Sequence, residues 1–306
     1  MLQLTASSEM RQPRYALITP VRDEERYVGT MIDSMLAQQP LPAKWVIVDD
    51  GSADKTVEIV RSYARRYPFI DLMCLPARNR RMPGGEGAVP SALRRLKLGE
   101  FEFVARFDAD LVFSPDYIAN VLAEFERDPR LGVAGGGLYT ENNGVLKLER
   151  DPDFHVRGAL KLYRRQCLEE IGGLTTQIGW DTMDEVYAWM YGWKTRSFYQ
   201  YKVLHRRPTG GGIHASRVYW ERGKAEYLTW SAPVFVAAKT VKIALAELSL
   251  VKPVCYLASF VSCYIRRIPR LQDAAFAKAR RNQQLERFTP LRNPQRNGPR
   301  SALARD

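Results

Sequence analysis

The stretch Val104-Ala-Arg-Phe-Asp-Ala-Asp-Leu-Val-Phe-Ser-Pro-Asp116 sets two carboxylates, Asp108 and Asp110, two residues apart at the end of an apolar run. Extended chain points residues i and i+2 to the same side. Two carboxylates held together repel each other unless positive charge lies between them. A divalent cation carrying a nucleotide diphosphate would answer that need, because hard cations take oxygen ligands and share phosphate oxygens. The plainer alternative is a pair of solvated loop aspartates, and the other acids bear on the choice. Asp23 and Glu24 follow the apolar run Tyr15-Ala-Leu-Ile-Thr-Pro20, and Asp49 and Asp50 close Lys44-Trp-Val-Ile-Val.

The elements that must position these acids alternate between strand and helix. Strands are expected at residues 15–20, 44–49, 69–75 and 104–108. Helices are expected from about Glu25 to Gln38, along the face of Val57, Val60 and Ala64, from Ser91 to Leu98, and from Pro115 to about Arg127. Ser114 is read as the N-cap of the last, with Pro115 at its first position. Residues 132–139 close this half as a further segment. Such alternation predicts an α/β protein with a parallel sheet and helices on both faces. Ligands of such sheets bind beyond the carboxyl ends of the strands. Asp23, Asp49, Asp50, Asp108 and Asp110 all fall there.

Composition narrows the class. The chain has 306 residues, 45% of them hydrophobic, enough for a sizeable core. Four cysteines without Cys-x-x-Cys spacing suggest reduced thiols rather than a disulfide framework or zinc site. The polar Met1–Arg14 segment has no apolar core of a leader, and no apolar run reaches a membrane-spanning length. The net charge is +12, and residues 253–306 hold eleven Lys or Arg against three Asp or Glu. A basic end of this kind suits anionic lipid, nucleic acid or plain solvation. The acidic character of the expected cleft, and the lack of a helix-turn-helix or aromatic RNA-binding signature, argue against nucleic acid.

Taken together, Thr19-Pro-Val-Arg-Asp-Glu-Glu25, Val46-Ile-Val-Asp-Asp-Gly-Ser52, Phe107-Asp-Ala-Asp110 and Gly179-Trp-Asp-Thr-Met-Asp-Glu185 resemble the family 2 glycosyltransferases of GT-A fold. The resemblance covers about residues 15–215. It implies a Rossmann-like, mixed but mainly parallel sheet and inverting transfer of a sugar from a UDP- or GDP-sugar, assisted by Mg²⁺ or Mn²⁺. By that likeness Pro20, Arg22, Asp23, Glu24, Asp49 and Asp50 would hold the nucleoside, and Asp108 and Asp110 would hold ribose, metal and diphosphate. The segment Arg78-Asn-Arg-Arg-Met-Pro-Gly-Gly-Glu-Gly87 departs from the family's usual Lys-Gly run; Arg78 is a candidate phosphate contact or a solvated loop residue. A nucleotidyltransferase would share strand-end acids, but that class opens with a glycine- and arginine-rich loop that residues 19–25 lack.

In the second half, a helix is expected from near Thr182 to Tyr191, ended by Gly192 at its C′ position. Asp181 would lie at or just before its start, where a carboxylate is favoured. The family places its general base here. An acceptor hydroxyl must lose a proton as it attacks, and a carboxylate in a water-poor pocket can take it. By that likeness, aligning back from Gly192 favours Asp181, with Asp184 the alternative; the plainer reading of either is an N-cap. Trp180 stands where the family usually has Glu, and would stack on a sugar or fill the core. Some GT-A enzymes supply a metal-binding histidine from the C-terminal side, which makes His205 a candidate, and Gly210–Gly212 would let a loop close over the donor.

The chain therefore divides into a flexible tail (1–14), a nucleotide-sugar half (15–140), an acceptor half (141–215), a C-terminal helical region (216–270) and a basic, partly disordered tail (271–306). Residues 253–265 run thirteen positions without charge and are followed by Arg266, Arg267 and Arg270. That pattern fits a core helix or a membrane-surface helix with Tyr256, Phe260 and Tyr264 toward lipid. The expected setting is the cytoplasm or the cytoplasmic face of the inner membrane, with a saccharide or lipid-linked acceptor in surface-polysaccharide or glycolipid synthesis.

Overall fold

The computed structural model describes residues 13–76, 87–149, 151–175, 178–207, 215–246 and 250–287. Four strands, β1 (Tyr15–Val21), β2 (Lys44–Asp49), β3 (Ile70–Cys74) and β4 (Phe103–Phe107), lie in parallel in the order β3-β2-β1-β4. The sheet continues through β8 (Leu160–Arg164), β6 (Leu131–Asn142), β9 (Lys194–His205) and the short β5 (Leu111–Phe113), with β7 (Val145–Leu148) folded back on β6 as a hairpin. Here β8 runs antiparallel to both neighbours, β6 and β9 are parallel, and β5 is antiparallel to β9. The sheet is thus mixed and mainly parallel, in agreement with the fold class the sequence implies.

Alternation along β1 explains the two cores. Tyr15 and Leu17 face one cluster, with Val28, Met31 and Ile32 of α1 (Val28–Leu36), Val60 of α2 (Thr56–Arg66) and Ile118, Val121 and Phe125 of α4 (Tyr117–Arg127). Ala16 and Ile18 face the other, with Ala88, Val89 and Ala92 of α3 (Ala88–Leu93), Cys167 and Leu168 of α5 (Arg165–Glu170) and Trp180 and Ala188 of α6 (Trp180–Met190). Period-two side chains of one buried strand feed both layers.

Four helices complete the described chain: α7 (Ala215–Leu228), α8 (Pro233–Ala246), α9 (Val251–Ile265) and α10 (Ala274–Glu286). Tyr227, Val236, Tyr256, Phe260 and Cys263 form the core of the first three. At Gly223 a Cβ would lie 2.1 Å from the carbonyl oxygen of Tyr256, so the missing side chain is what lets α7 and α9 approach. Among the described residues no helix is long and apolar enough to cross a membrane.

Three local expectations change. Ser114 does not cap α4: the helix starts at Tyr117, and its Ile118 N–H donates to Gln38 Oε1 (3.0 Å), so a glutamine from the end of α1 does the capping. Residues 274–286 are helix, not tail; the Asp273 carboxylate caps α10 by accepting from Phe276 N–H (2.8 Å), and Phe276 packs on Met183 and Val186 of α6. Tyr256 and Phe260 point into the core, leaving a different stripe of α9 outside.

Candidate active site

Parallel order puts the carboxyl ends of β1, β2 and β4 on one edge, and the strand-end acids gather there. After β1 the chain turns sharply at Asp23, whose φ is +55°. The turn is stitched to the loop after β2: Asp23 N–H donates to Ser52 Oγ (3.0 Å), Ala53 N–H to Asp23 Oδ1 (2.8 Å) and Glu24 N–H to Thr56 Oγ1 (2.8 Å). Pro20, at the end of β1, precedes this turn. Asp49 holds its own loop, accepting from the N–H groups of Gly51 (3.1 Å) and Ser52 (3.2 Å). Asp50 is buried and 3.8 Å from Arg22 Nη1, and its Oδ1 has no hydrogen-bond partner among the described residues. A buried acceptor left open in this way fits a ligand N–H.

Asp108 and Asp110 lie between β4 and β5. The register of β5 on β9 pairs Leu111 with His205, which brings that histidine beside Asp110. His205 Nε2 lies 3.6 Å from Asp110 Oδ1, and its Nδ1 3.1 Å from Glu149 Oε1. Two residues on, Arg207 bridges Asp110 Oδ2 (3.1 Å) and Glu24. Burial pushes the Asp110 carboxyl up, but the hydrogen bond from His205 and the charges of His205 and Arg207 outweigh it and hold the group below its ordinary value. Burial lowers the His205 imidazole, yet its bonds to Asp110 and Glu149 raise it to about 9.

Asp110, together with His205 once a cation has displaced the proton from its Nε2, would offer two ligands to a hard divalent cation. Mg²⁺-type sites use one or two protein ligands and complete their shell with phosphate oxygens and water. Among the described residues no three His, Cys, Asp or Glu side chains converge on one point, but two do. A carboxylate on the other ring nitrogen, as Glu149 provides, is the usual way to aim a ligating histidine.

A second cluster of charged side chains is built on the opposite layer. Arg106 of β4 and Lys161 of β8 are cross-strand partners, both buried. Two adjacent cations are unfavourable unless acids answer them, and α6 covers them with acids. Lys161 Nζ donates to Asp184 Oδ1 (2.8 Å), to Asp184 Oδ2 (2.9 Å) and to the Asp181 carbonyl (2.6 Å), and lies 3.2 Å from Glu185 Oε1. Glu185 in turn meets His155 Nδ1 (2.8 Å) and Val156 N–H (2.7 Å). Burial would lower the Lys161 ammonium; Asp184, Glu185 and Asp181 outweigh it and keep it raised. Burial pushes the Asp184 carboxyl up to about 6 against the pull of Lys161.

Asp184 is therefore closed off: Lys161, the Tyr163 hydroxyl and the Glu185 N–H take its oxygens. Asp181, half-buried on the first turn of α6, is the other candidate base. Trp180 packs in the core of its layer. Its buried ring covers Arg106 (Cζ 4.8 Å from the centroid) and Lys161 (Nζ 5.6 Å). Arg106 closes the circuit, with Nη2 2.8 Å from Asp108 Oδ1 and Nη1 donating to the Gly158 carbonyl. Arg78 and Gly210–Gly212 lie outside the described residues.

The family model for glycosyl transferase family 2 matches residues 16–177, over half of the chain. The chain belongs to that family. This family 2 glycosyltransferase is 23% identical over 256 residues to the poly-β-1,6-N-acetyl-D-glucosamine synthase of Staphylococcus epidermidis, covering 74% of this chain and 58% of that protein. It is 29% identical over 181 residues to the putative glycosyltransferase EpsH of Bacillus subtilis (strain 168), covering 52% of this chain and 49% of that one. It thus spans about half to three fifths of these relatives. Among solved structures it resembles the mannosyltransferase PcManGT from Pyrobaculum calidifontis in complex with GDP-Man and Mn²⁺ (TM-score 0.53, 18% identity, 94% of this chain and 83% of that one). It also resembles GalNAc-T7 with UDP, GalNAc and Mn²⁺ (TM-score 0.57, 13% identity, 85% and 57%). At these identities the likeness shows a shared fold, GT-A. Family membership sets aside the nucleotidyltransferase and nucleic-acid-binding readings.

Sequence reading missed Arg106, Glu149, Arg157, Lys161 and Arg207. An arginine inside the apolar run Phe103–Phe107 was a usable signal, because a buried guanidinium needs a nearby acid. Glu149 and Arg157, ion-paired to each other, carry no such local mark.

Proposed function

We propose that this chain transfers a sugar, with inversion, from a nucleotide-diphosphate sugar to a saccharide or lipid-linked acceptor in surface-polysaccharide or glycolipid synthesis. One observation carries the reading. The donor carboxylate Asp108 and the α6 turn bearing Asp181 are joined through a single side chain, Arg106, which bonds the first and stacks beneath Trp180 next to the second. Donor and acceptor groups thus share one cleft.

In this reading Asp50 and Asp49 with the 20–24 turn receive the nucleoside, the open Asp50 Oδ1 accepting a base N–H. Asp110 and His205 would hold Mg²⁺ or Mn²⁺, which would supply positive charge to stabilise the departing diphosphate. The GDP-Man and UDP complexes with Mn²⁺ of the two solved relatives support that choice. The acceptor hydroxyl gives its proton to the Asp181 carboxylate. Its oxygen attacks the anomeric carbon opposite the diphosphate, and the carbon–oxygen bond to the diphosphate breaks with its electron pair on the leaving oxygen. Asp184 and Lys161 keep the α6 turn in place.

The test is nucleoside-diphosphate release from a panel of UDP- and GDP-sugars with Mg²⁺ or Mn²⁺ and a set of saccharide acceptors. Acceptor-dependent release, lost in Asp110→Ala, is expected. Turnover that survives both EDTA and Asp110→Ala would overturn the metal assignment.

A further inference from the structure

We propose that the outer face of α9, with the basic residues at its end, seats this protein on the surface of an anionic lipid bilayer. The inner face of α9 is spent on the core: Tyr256, Phe260 and Cys263 pack against Tyr227 and Val236, and the Tyr256 hydroxyl bonds Glu226 (3.0 Å). The outer face should then be polar, as the solvent side of a surface helix is. Instead Val251, Val254, Leu257, Val261, Tyr264 and Ile265 are exposed, Val254 at 61% and Ile265 at 77%. Their spacing of three, three, four, three and one makes a continuous stripe. Neighbouring α8 carries a second stripe, Val234, Val241 and Leu245, opposite its buried Val236. A run of exposed aliphatic side chains on adjacent helices is unusual on a surface that meets only water.

Charge selects the occupant. The sequences of α8 and α9 contain no acidic residue; of their three lysines, Lys239, Lys242 and Lys252, the first is paired with Glu226, and exposed Arg266 and Arg267 follow α9 directly. A second copy of the chain docked here would bring these cations against their own kind. The residues after 287 carry Arg292, Arg296, Arg300 and Arg305 against one acid, so they share the sign of the rim and are poor covers for it. An anionic headgroup layer complements the rim, and its acyl boundary accepts the stripe. At 15 residues α9 is about 22 Å long, short of the roughly 30 Å of a hydrocarbon core, so it lies in the interface and does not span. The lipid-facing side chains are thus Val254, Leu257 and Val261 rather than Tyr256 and Phe260.

The full-length chain should float with vesicles of phosphatidylcholine and phosphatidylglycerol, stay behind with phosphatidylcholine alone, and detach as salt rises. The triple substitution Val254→Gln, Leu257→Gln, Val261→Gln changes exposed side chains only, and should lower the bound fraction by roughly tenfold or more. Arg266→Gln with Arg267→Gln should remove most of the salt-sensitive part. Circular dichroism and melting temperature establish that both variants are folded. Equal flotation of the triple variant, or no flotation of the wild type, overturns the proposal. So does a dimer in sedimentation velocity that the triple substitution dissociates, because it assigns the face to a second copy. The readout does not involve sugar transfer, so it stands or falls separately from the proposed reaction.

Discussion

Asp181 and Asp184 are three residues apart on one helix and have opposite surroundings. Asp184 is enclosed by Lys161 and Tyr163, whereas Asp181 gives Lys161 its main-chain carbonyl and is itself half-buried. Asp181→Asn should therefore cut transfer by roughly two to four orders of magnitude, the scale of a general base, with nucleotide affinity and melting temperature near wild type. Asp184→Asn leaves Lys161 buried and weakly answered, so its signature is a lowered melting temperature. If Asp184→Asn instead kept its stability and lost turnover alone, the roles would be exchanged. Arg106 gives a second test. Arg106→Met frees Asp108 from its 2.8 Å bond and removes the cation beneath Trp180. Affinity for UDP or GDP with Mn²⁺, by titration calorimetry, should fall roughly tenfold, within the range of one charge-assisted hydrogen bond, and Arg106→Lys should restore part of it. Unchanged affinity in Arg106→Met would mean that the arginine is structural only. The acids of this site were legible because carboxylates at strand ends stand out from apolar runs. Their cations were not, because Arg207 meets Asp110 across 97 residues and Glu24 across 183; such pairs exist only once sheet register is fixed.

Elements were legible to the extent that their signals were local. The alternation of strand and helix through residue 140 matches the structure, as does the helix ended by Gly192, which takes φ +84°. Signals failed where the deciding partner was distant. The α4 cap comes from Gln38, eighty residues away. On α9, apolar along most of its surface, hydropathy cannot say which stripe faces the core; the Gly223 contact and the bond from the Tyr256 hydroxyl to the Glu226 carboxylate decide it. For α10 the basic composition suggested a tail, while one cap, one phenylalanine and a buried arginine anchor it. Glu226 ties these helices together through Lys239 (2.6 Å), Tyr256 (3.0 Å) and Arg280 (3.5 Å). Burial pushes its carboxyl up, but Lys239 and Arg280 outweigh it and pull it down to about 2. A carboxyl depressed in the folded state adds stability above its unfolded value and loses it as pH falls through the folded one. Glu226 thus contributes on the order of 3 kcal/mol above about pH 4.5, lost toward pH 2. In acid titrations followed by circular dichroism, Glu226→Gln should be less stable at neutral pH and show a shallower loss between pH 4.5 and 2. An acid limb identical to wild type would remove Glu226 from the account.

At the scale of the molecule, charge is divided by function: acids gather at the strand-end cleft while residues 253–306 hold much of the net +12. Fold and family were legible from the order and spacing of four motifs, none decisive alone. Sugar, base and acceptor were not, because the side chains that would choose them come from scattered segments. The division makes a global prediction. The cleft acids are held by the chain's own basic side chains, Arg22, Arg106, His205 and Arg207, while Asp50 Oδ1 has no hydrogen-bond partner among the described residues. A ligand that binds only the native state stabilises it by RT ln(1 + [L]/Kd), about 2.7 kcal/mol at a hundredfold excess over Kd. For a domain of this size each kcal/mol moves the melting temperature by about 2–4 °C. UDP or GDP with Mn²⁺ should then raise it by roughly 5–10 °C. The nucleoside without phosphates, or the diphosphate with EDTA, should raise it much less, since the cation at Asp110 and His205 then has no diphosphate to bridge or is absent. Asp110→Ala should erase the Mn²⁺-dependent part, and Asp50→Asn should reduce the shift for nucleoside and diphosphate alike. A shift of equal size in Asp110→Ala would place the metal elsewhere, while none with either diphosphate would count against a nucleotide-sugar donor altogether.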